Sequence, residues 1–172
     1  SFSKCKDILN GRYDNGRVIS ADELEIVLTD VDLKFIFETY DFDVVIYFSG
    51  DLTYQTTEKN DAEELREVLE YAKLSGKDTK ILFLSSLDSA FTEKTDRAIL
   101  SAAKENLCHF YAKESSLDIK IIQIPYLYSG TYEKDFLYRV FEQIYEEKTV
   151  VIDEAPGDKM HFISSQDLAE LL

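Results

Sequence analysis

Val44-Val-Ile-Tyr-Phe48 is an uninterrupted apolar run of β-branched and aromatic residues, bounded by Asp43 and by Ser49-Gly50. A short run of this composition is typical of a strand that is buried on both faces of a sheet. The other runs of this kind are Leu24–Leu28, Ile81–Leu84 and Ile119–Ile124, with a weaker one at Thr149–Ile152. We therefore expect a buried sheet built from segments spread along most of the chain.

Segments with helical periodicity separate these runs. Asp61–Leu74 places Leu65 and Leu69 on one face, with charged residues on the other, and Gly76 then follows where a left-handed residue commonly ends a helix. The other helical segments are Asp32–Tyr40, Asp96–Glu114 and Asp135–Glu147. Strands that alternate with helices of this length predict crossover connections, a parallel sheet and a single α/β domain.

The charge balance limits the classes of partner. The chain of 172 residues carries a formal net charge of −15, from 34 acidic and 19 basic side chains. A field of this sign repels DNA, RNA and anionic lipid, because binding to each of them needs a basic surface. We expect no nucleic-acid binding, and the acidic surface serves either solubility or a basic partner.

Other function classes find little support. No run approaches the roughly 20 apolar residues of a membrane span, so we expect no membrane insertion. Cys5 and Cys108 form no disulfide framework, which favours reduced thiols and a cytoplasmic protein. With two His and no CxxC or HExxH pattern, we expect no metal site.

Several segments, in order, resemble the extended short-chain dehydrogenase/reductase family, the NAD-dependent epimerases and dehydratases of nucleotide sugars. Asp43–Gly50 is similar to its fourth strand, Ile81-Leu-Phe-Leu-Ser-Ser86 to its fifth strand with a Ser-Ser ending, and His161–Ala169 to its late F-I-x-V-D-D-L-A segment. The resemblance covers residues 22–172. It implies a Rossmann-like, doubly wound parallel sheet over residues 21–172, which we expect to be part of a longer protein.

The glycine-rich turn that holds the cofactor pyrophosphate in this family is missing. The closest glycine pair, Gly11 and Gly16, lies in a segment whose Asp-Asn-Gly favours a simple turn. A strand–helix–strand unit needs about 30 residues, and fewer precede Leu24. Residues 1–20 are therefore an extension or a remnant, and the N-terminal crossover unit is reduced, absent or outside this sequence.

The family's catalytic Tyr-x-x-x-Lys motif is incomplete. If Lys104 corresponds to its lysine, Leu100 occupies the tyrosine position, and leucine has no proton to exchange. Lys104 is then either a remnant of the site or a solvated helix lysine. Ser86 is the other remnant candidate, and Ser85-Ser86 is more typical of serines that cap local backbone than of a nucleophile.

The resemblance implies cofactor contacts for four residues: Asp30, Ser49, Gly50 and Lys104. Asp30 would contact the adenine, while N-capping of a helix is the alternative role for its neighbour Asp32. The resemblance also places a group of tyrosines near the substrate cleft, where they form either an interaction surface or core. These are Tyr126, Tyr128, Tyr132 and Tyr138.

Two functions remain after these considerations. The first is a non-catalytic regulatory or binding module that acts through protein contacts, through further domains of the same chain or through a nucleotide-type ligand, and needs no cofactor. The alternative is an NAD(P)-dependent epimerase, dehydratase or reductase of nucleotide sugars whose glycine-rich unit is missing from this chain. The leucine at position 100 favours the first.

Overall fold

The computed structural model describes residues 30–48, 61–90, 95–115, 117–128, 136–150 and 159–172. The chain forms two compact units, of which one contains the described residues up to Ile124 and the other contains those from Pro125 onward. The expected strand at Leu24–Leu28, the glycine pair of the N-terminal segment and the candidate cofactor residues Ser49 and Gly50 lie outside the described residues.

The first unit alternates helices and strands as the sequence predicts. Its elements are α1 (Asp30–Thr39), β1 (Val44–Phe48), α2 (Asp61–Ser75), β2 (Lys80–Ser86), a 3-10 turn (Leu87–Ala90), α3 (Asp96–Ser115) and β3 (Ile119–Ile124). The three strands form one parallel sheet in the order β1-β2-β3. The α/β class and the parallel sheet are thus confirmed.

Apolar side chains from the sheet and the helices form the core of this unit. In the register of the sheet, Val45 lies opposite Ile81, and Phe83 lies opposite Ile121. One face of α2 closes over them with the side chains that its helical spacing predicts. The buried residues of α2 are Leu65, Val68, Leu69 and Ala72.

A glycine and a lysine fix the ends of α2 and α1. Gly76 follows α2 with φ of 63°, a left-handed conformation that glycine adopts without a steric cost. Lys77 Nζ donates to the carbonyl oxygens of Phe37 at 3.1 Å and Tyr40 at 2.8 Å, and it pairs with Asp41 at 2.8 Å. A cation at the last carbonyls of α1 complements the negative end of the helix dipole.

The second unit contains β4 (Tyr126–Tyr128), α4 (Phe136–Tyr145), β5 (Phe162–Ser164) and α5 (Ser165–Leu171). β4 and β5 pair in parallel, with Tyr126 opposite Phe162. The Ser164 hydroxyl accepts a 2.9 Å hydrogen bond from the amide of Asp167 and so caps α5. The sequence predicts neither β4 nor β5, because each is only three residues long.

Two other expectations differ from the structure. Thr149 and Val150 belong to no strand, and the rest of that expected strand lies outside the described residues. Asp32 lies inside α1, which begins at Asp30, so a capping role for Asp32 is wrong. Across the described residues, every helix is too short or too polar to cross a bilayer.

Candidate functional site

The candidate site lies where β2 and β3 end and where α3 packs against them. Ligands of open α/β sheets bind beside the carboxyl ends of the strands, so polar side chains at this edge are the first to consider. Ser85 and Ser86 are the last residues of β2, and Gln123 precedes the last residue of β3. The helix α3 brings Lys104 and Glu105 to the same region of the fold.

The Glu105 carboxylate is the centre of a hydrogen-bond cluster that joins four elements. Its Oε1 accepts from the hydroxyls of Ser85 and Ser89, each at 2.6 Å. Gln123 Nε2 lies 3.1 Å from Oε1 and 3.2 Å from Oε2, and 2.8 Å from the Ser89 hydroxyl. We call Ser85, Ser89, Glu105 and Gln123 the Glu105 cluster.

Electrostatics in the cluster favour an ionised carboxylate. Burial raises the pKa of Glu105, but the hydrogen bonds from Ser85, Ser89 and Gln123, with the nearby His109, outweigh it and lower the pKa below its usual value. A carboxylate that accepts several hydrogen bonds and has a lowered pKa is a weak general base. The arrangement therefore does not activate Ser85 as a nucleophile.

Ser85 also differs from the expectation that the strand-end serines cap local backbone. Its hydroxyl donates to Glu105, which is twenty residues away along the chain, and its side chain is buried. Ser89 does bond locally as well, because its hydroxyl lies 3.0 Å from the carbonyl oxygen of Ser86. The serines thus connect β2 to α3 rather than to nearby backbone alone.

Lys104 is buried, with only 3% of its surface exposed. The interpretation of Lys104 as a solvated helix lysine is therefore wrong. It lies on the face of α3 that also carries Ser101, Cys108 and Tyr111, all of them buried. A lysine is seldom buried unless its charge is compensated, so Lys104 is the most unusual side chain of α3.

The tyrosine that the resemblance implies one turn before Lys104 has no counterpart in this chain, where that residue is Leu100. Leu100, one turn before Lys104, is partly buried and has no ionisable group. The single tyrosine of α3, Tyr111, is about two turns beyond Lys104, and its hydroxyl donates to Glu70 Oε2 at 2.8 Å. Tyr111 thus joins α3 to α2, and its pKa is raised by burial and by Glu70.

Cys108 follows Lys104 by one turn and is fully buried. Burial, together with the negative charge of Glu105, raises the pKa of its thiol to about 12. A thiol with so high a pKa carries almost no thiolate at neutral pH and is a poor nucleophile. Cys108 is therefore part of the core and not a reactive group.

The remaining candidates are only partly placed. Asp30 is the first residue of α1, but its side chain lies outside the described part of the structure, as do Ser49 and Gly50. The implied cofactor contacts of these three residues stay predictions. In the described ranges, no group of His, Cys, Asp and Glu side chains is arranged to hold a metal ion.

Comparison with known proteins gives a likeness of fold. No family model and no curated protein matches the chain. Among solved structures, it is similar to UDP-glucuronic acid 4-epimerase from Bacillus cereus, solved with UDP-glucuronic acid and NAD (TM-score 0.64, 17% identity, 87% of this chain and 56% of that one). It is also similar to UDP-N-acetylglucosamine 4-epimerase from Bacillus cereus (TM-score 0.63, 15% identity, 96% of this chain and 67% of that one).

A third similar structure is the capsular polysaccharide assembling protein CapF from Staphylococcus aureus, with a TM-score of 0.59, 17% identity, and coverage of 81% of this chain and 37% of that one. The chain thus spans between about a third and two thirds of these structures. At such identities the likeness shows the fold alone, and that fold is the Rossmann-like α/β fold of nucleotide-sugar epimerases.

Sequence reasoning missed three members of the cluster, Ser89, Glu105 and Gln123. Glu105 stands in a polar stretch, Lys104-Glu105-Asn106, that is typical of a solvated helix surface. A signal was present in the spacing of Ser101, Glu105 and Cys108, which share one helical face. Gln123 interrupts the apolar run of β3 close to its carboxyl end, where a polar side chain is a mark of a site.

Proposed function

We propose that this chain is a non-catalytic, epimerase-like module of a longer cytoplasmic protein. It acts through contacts with a protein partner or by binding a nucleotide-type ligand. The observation that carries the proposal is Leu100, which stands one turn before the buried Lys104 on α3. An epimerase of this fold needs a proton donor and acceptor at that position, and leucine is neither.

The Glu105 cluster supports the same proposal. The Ser85 hydroxyl donates to the Glu105 carboxylate, and Gln123 covers the other carboxylate oxygen. The hydrogen-bond donors and acceptors of these side chains pair with one another, and the bonds hold β2, β3 and α3 together.

One observation favours the second candidate, an NAD(P)-dependent epimerase or dehydratase. Lys104 is buried on α3, and the family resemblance implies for this lysine a contact with the nicotinamide ribose. NAD is present in one of the similar structures. The residues present fit a dinucleotide only in part, because Lys104 could bind a ribose while Leu100 could not transfer a proton.

Calorimetry on the full-length protein separates the two candidates. We expect titration with NAD, NADP, UDP-glucuronic acid and UDP-N-acetylglucosamine to give no dinucleotide affinity tighter than about 1 mM. Binding of NAD in the micromolar range, lost in Lys104→Met, would overturn the expectation that the module needs no cofactor, and turnover of a nucleotide sugar with NAD would decide in favour of the enzyme. The matched control is Lys113→Met, which changes an exposed lysine of the same helix.

A further inference from the structure

The outer face of α4 carries three large apolar side chains in contact with solvent. Phe141 is 65% exposed, Ile144 57% and Tyr145 89%. Their spacing of three and four residues places them side by side on one face of the helix. We call these three residues the α4 stripe.

Exposed apolar residues are ordinary when they occur singly, but a contiguous group on one helix face marks an interaction site. Elsewhere in the described structure, the large exposed apolar side chains of the helices are dispersed. They are Phe35 on α1, Leu74 on α2, Ile99 and Phe110 on α3, and Leu171 on α5. Among the described helices, α4 is therefore the one whose exposed apolar residues are neighbours.

Acidic residues border the α4 stripe. Glu142 on α4 follows Phe141, while Glu146 and Glu147 follow Tyr145 just beyond the end of the helix; all three are exposed. Two cations lie close by in sequence: Arg139 is half-buried on α4, and Lys148 pairs with Glu146 at 2.5 Å, which raises the pKa of Lys148. The three exposed carboxylates outnumber these two cations. The border of the stripe thus carries net negative charge.

This charge selects the class of occupant. A second copy of the chain would bring another acidic border and another net charge of −15 against the first, and like charges across an interface are unfavourable. Anionic lipid and nucleic acid are disfavoured for the same reason. A segment with an apolar row and flanking Lys or Arg side chains complements both the stripe and its border.

We propose that the α4 stripe is a docking surface for a basic amphipathic segment of a protein partner. The apolar row of that segment covers Phe141, Ile144 and Tyr145, and its cations face Glu142 and Glu146. Docking at α4 deepens the protein-binding part of the proposed function and rests on it. It also names a surface that is independent of the Glu105 cluster, which belongs to the other unit.

The test uses two synthetic helical peptides with the same leucine positions, one with lysine and one with glutamate at the polar positions. Fluorescence anisotropy measures their binding to the full-length protein and to the variants Phe141→Ser and Ile144→Ser. The matched control is Phe35→Ser, since Phe35 is 63% exposed and lies on another helix of equal length. Circular dichroism checks the fold of each variant, and sedimentation measures self-association.

We expect the lysine peptide to bind and the glutamate peptide not to bind. Phe141→Ser and Ile144→Ser should each weaken binding by roughly tenfold, while Phe35→Ser leaves it unchanged. If the lysine peptide bound the wild type and all three variants equally, the binding would reflect general attraction to an acidic chain, and the α4 site would be overturned. Absence of binding to the wild type would overturn it as well. Self-association that Phe141→Ser abolishes would replace the basic partner by a second copy. Turnover of a nucleotide sugar would instead overturn the proposed function and leave the α4 result untouched.

Discussion

The hydroxyl of Ser85, at the end of β2, donates a 2.6 Å hydrogen bond to Oε1 of Glu105 on α3. Ser85 is buried, and the ionised partner makes this a charge-assisted bond, which is stronger than one between neutral groups. The bond fixes α3 against the sheet at the edge where proteins of this fold bind their ligands. It also directs the hydroxyl to the carboxylate and away from any incoming group.

A double-mutant cycle measures the strength of this bond. We expect Ser85→Ala and Glu105→Ala to be coupled by about 1 kcal/mol or more in the free energy of unfolding, because the bond involves a charged acceptor. Urea denaturation of the wild type, the two single variants and the double variant gives the value. The control cycle pairs Ser85→Ala with Glu114→Ala, an exposed glutamate of α3, and coupling of equal size there would contradict the assignment.

The Glu105 cluster also predicts how stability changes with pH. The pKa of Glu105 is lower in the folded chain than its usual value of 4.5, so the unfolded chain binds more protons between the two values. The stability that the carboxylate contributes is therefore fully present above about pH 5 and is lost as the pH falls through the folded pKa.

Comparison with Glu105→Gln isolates this contribution, since glutamine does not titrate. The wild type should exceed the variant in free energy of unfolding at about pH 7, and the difference should shrink towards about pH 3. Thermal or urea unfolding across this range measures it. A difference that grows as the pH falls would show that the folded pKa of Glu105 is raised and would contradict the cluster.

Because Lys104 is buried, we expect reversal of its charge to lower the stability of the fold strongly. Lys104→Glu places a carboxylate in a buried position next to the acidic Glu105, and we expect a loss of about 3 kcal/mol or more in the free energy of unfolding. The matched variant Lys113→Glu, at an exposed position of α3, should change stability by no more than about 0.5 kcal/mol. Equal effects of the two substitutions would mean that Lys104 is solvated.

Cys108 should be unreactive in the folded protein. With a pKa of about 12, only ~10⁻⁴ of the thiol is thiolate at pH 8, and its side chain is fully buried. In a Cys5→Ser variant, which leaves one thiol, we expect no labelling by iodoacetamide under native conditions and complete labelling in urea. Stoichiometric labelling of the native variant, followed by mass spectrometry, would contradict the burial of α3 against the sheet.

The sequence predicts the fold of the first unit well because its strands and helices differ sharply in composition. β1 and β3 begin and end at the residues that the apolar runs predict. α3 ends at Ser115, one residue beyond the predicted helical segment. β2 is longer than its apolar run, because its two serines continue the ladder with β3. Hydrogen bonding in a ladder depends on the partner strand, which no local pattern records.

The site is less predictable from sequence, for a physical reason. Whether a lysine is buried depends on how its helix packs, and Lys104 is followed by the polar residues Glu105 and Asn106. The Glu105–Gln123 contact joins residues far apart in the chain, and amphipathic spacing gives only the face of the helix and not its partner. β4 and β5 are too short for a periodic pattern, so their pairing is visible only in the folded chain.

The central claim is that a leucine at position 100 leaves this epimerase-like fold without acid/base chemistry. The most direct measurement is turnover of UDP-glucuronic acid and UDP-N-acetylglucosamine by the full-length protein with NAD, followed by NMR of the sugar protons. We predict no conversion above the uncatalysed background. Conversion that proceeds in the wild type and is lost in Lys104→Met, but not in Lys113→Met, would contradict the claim.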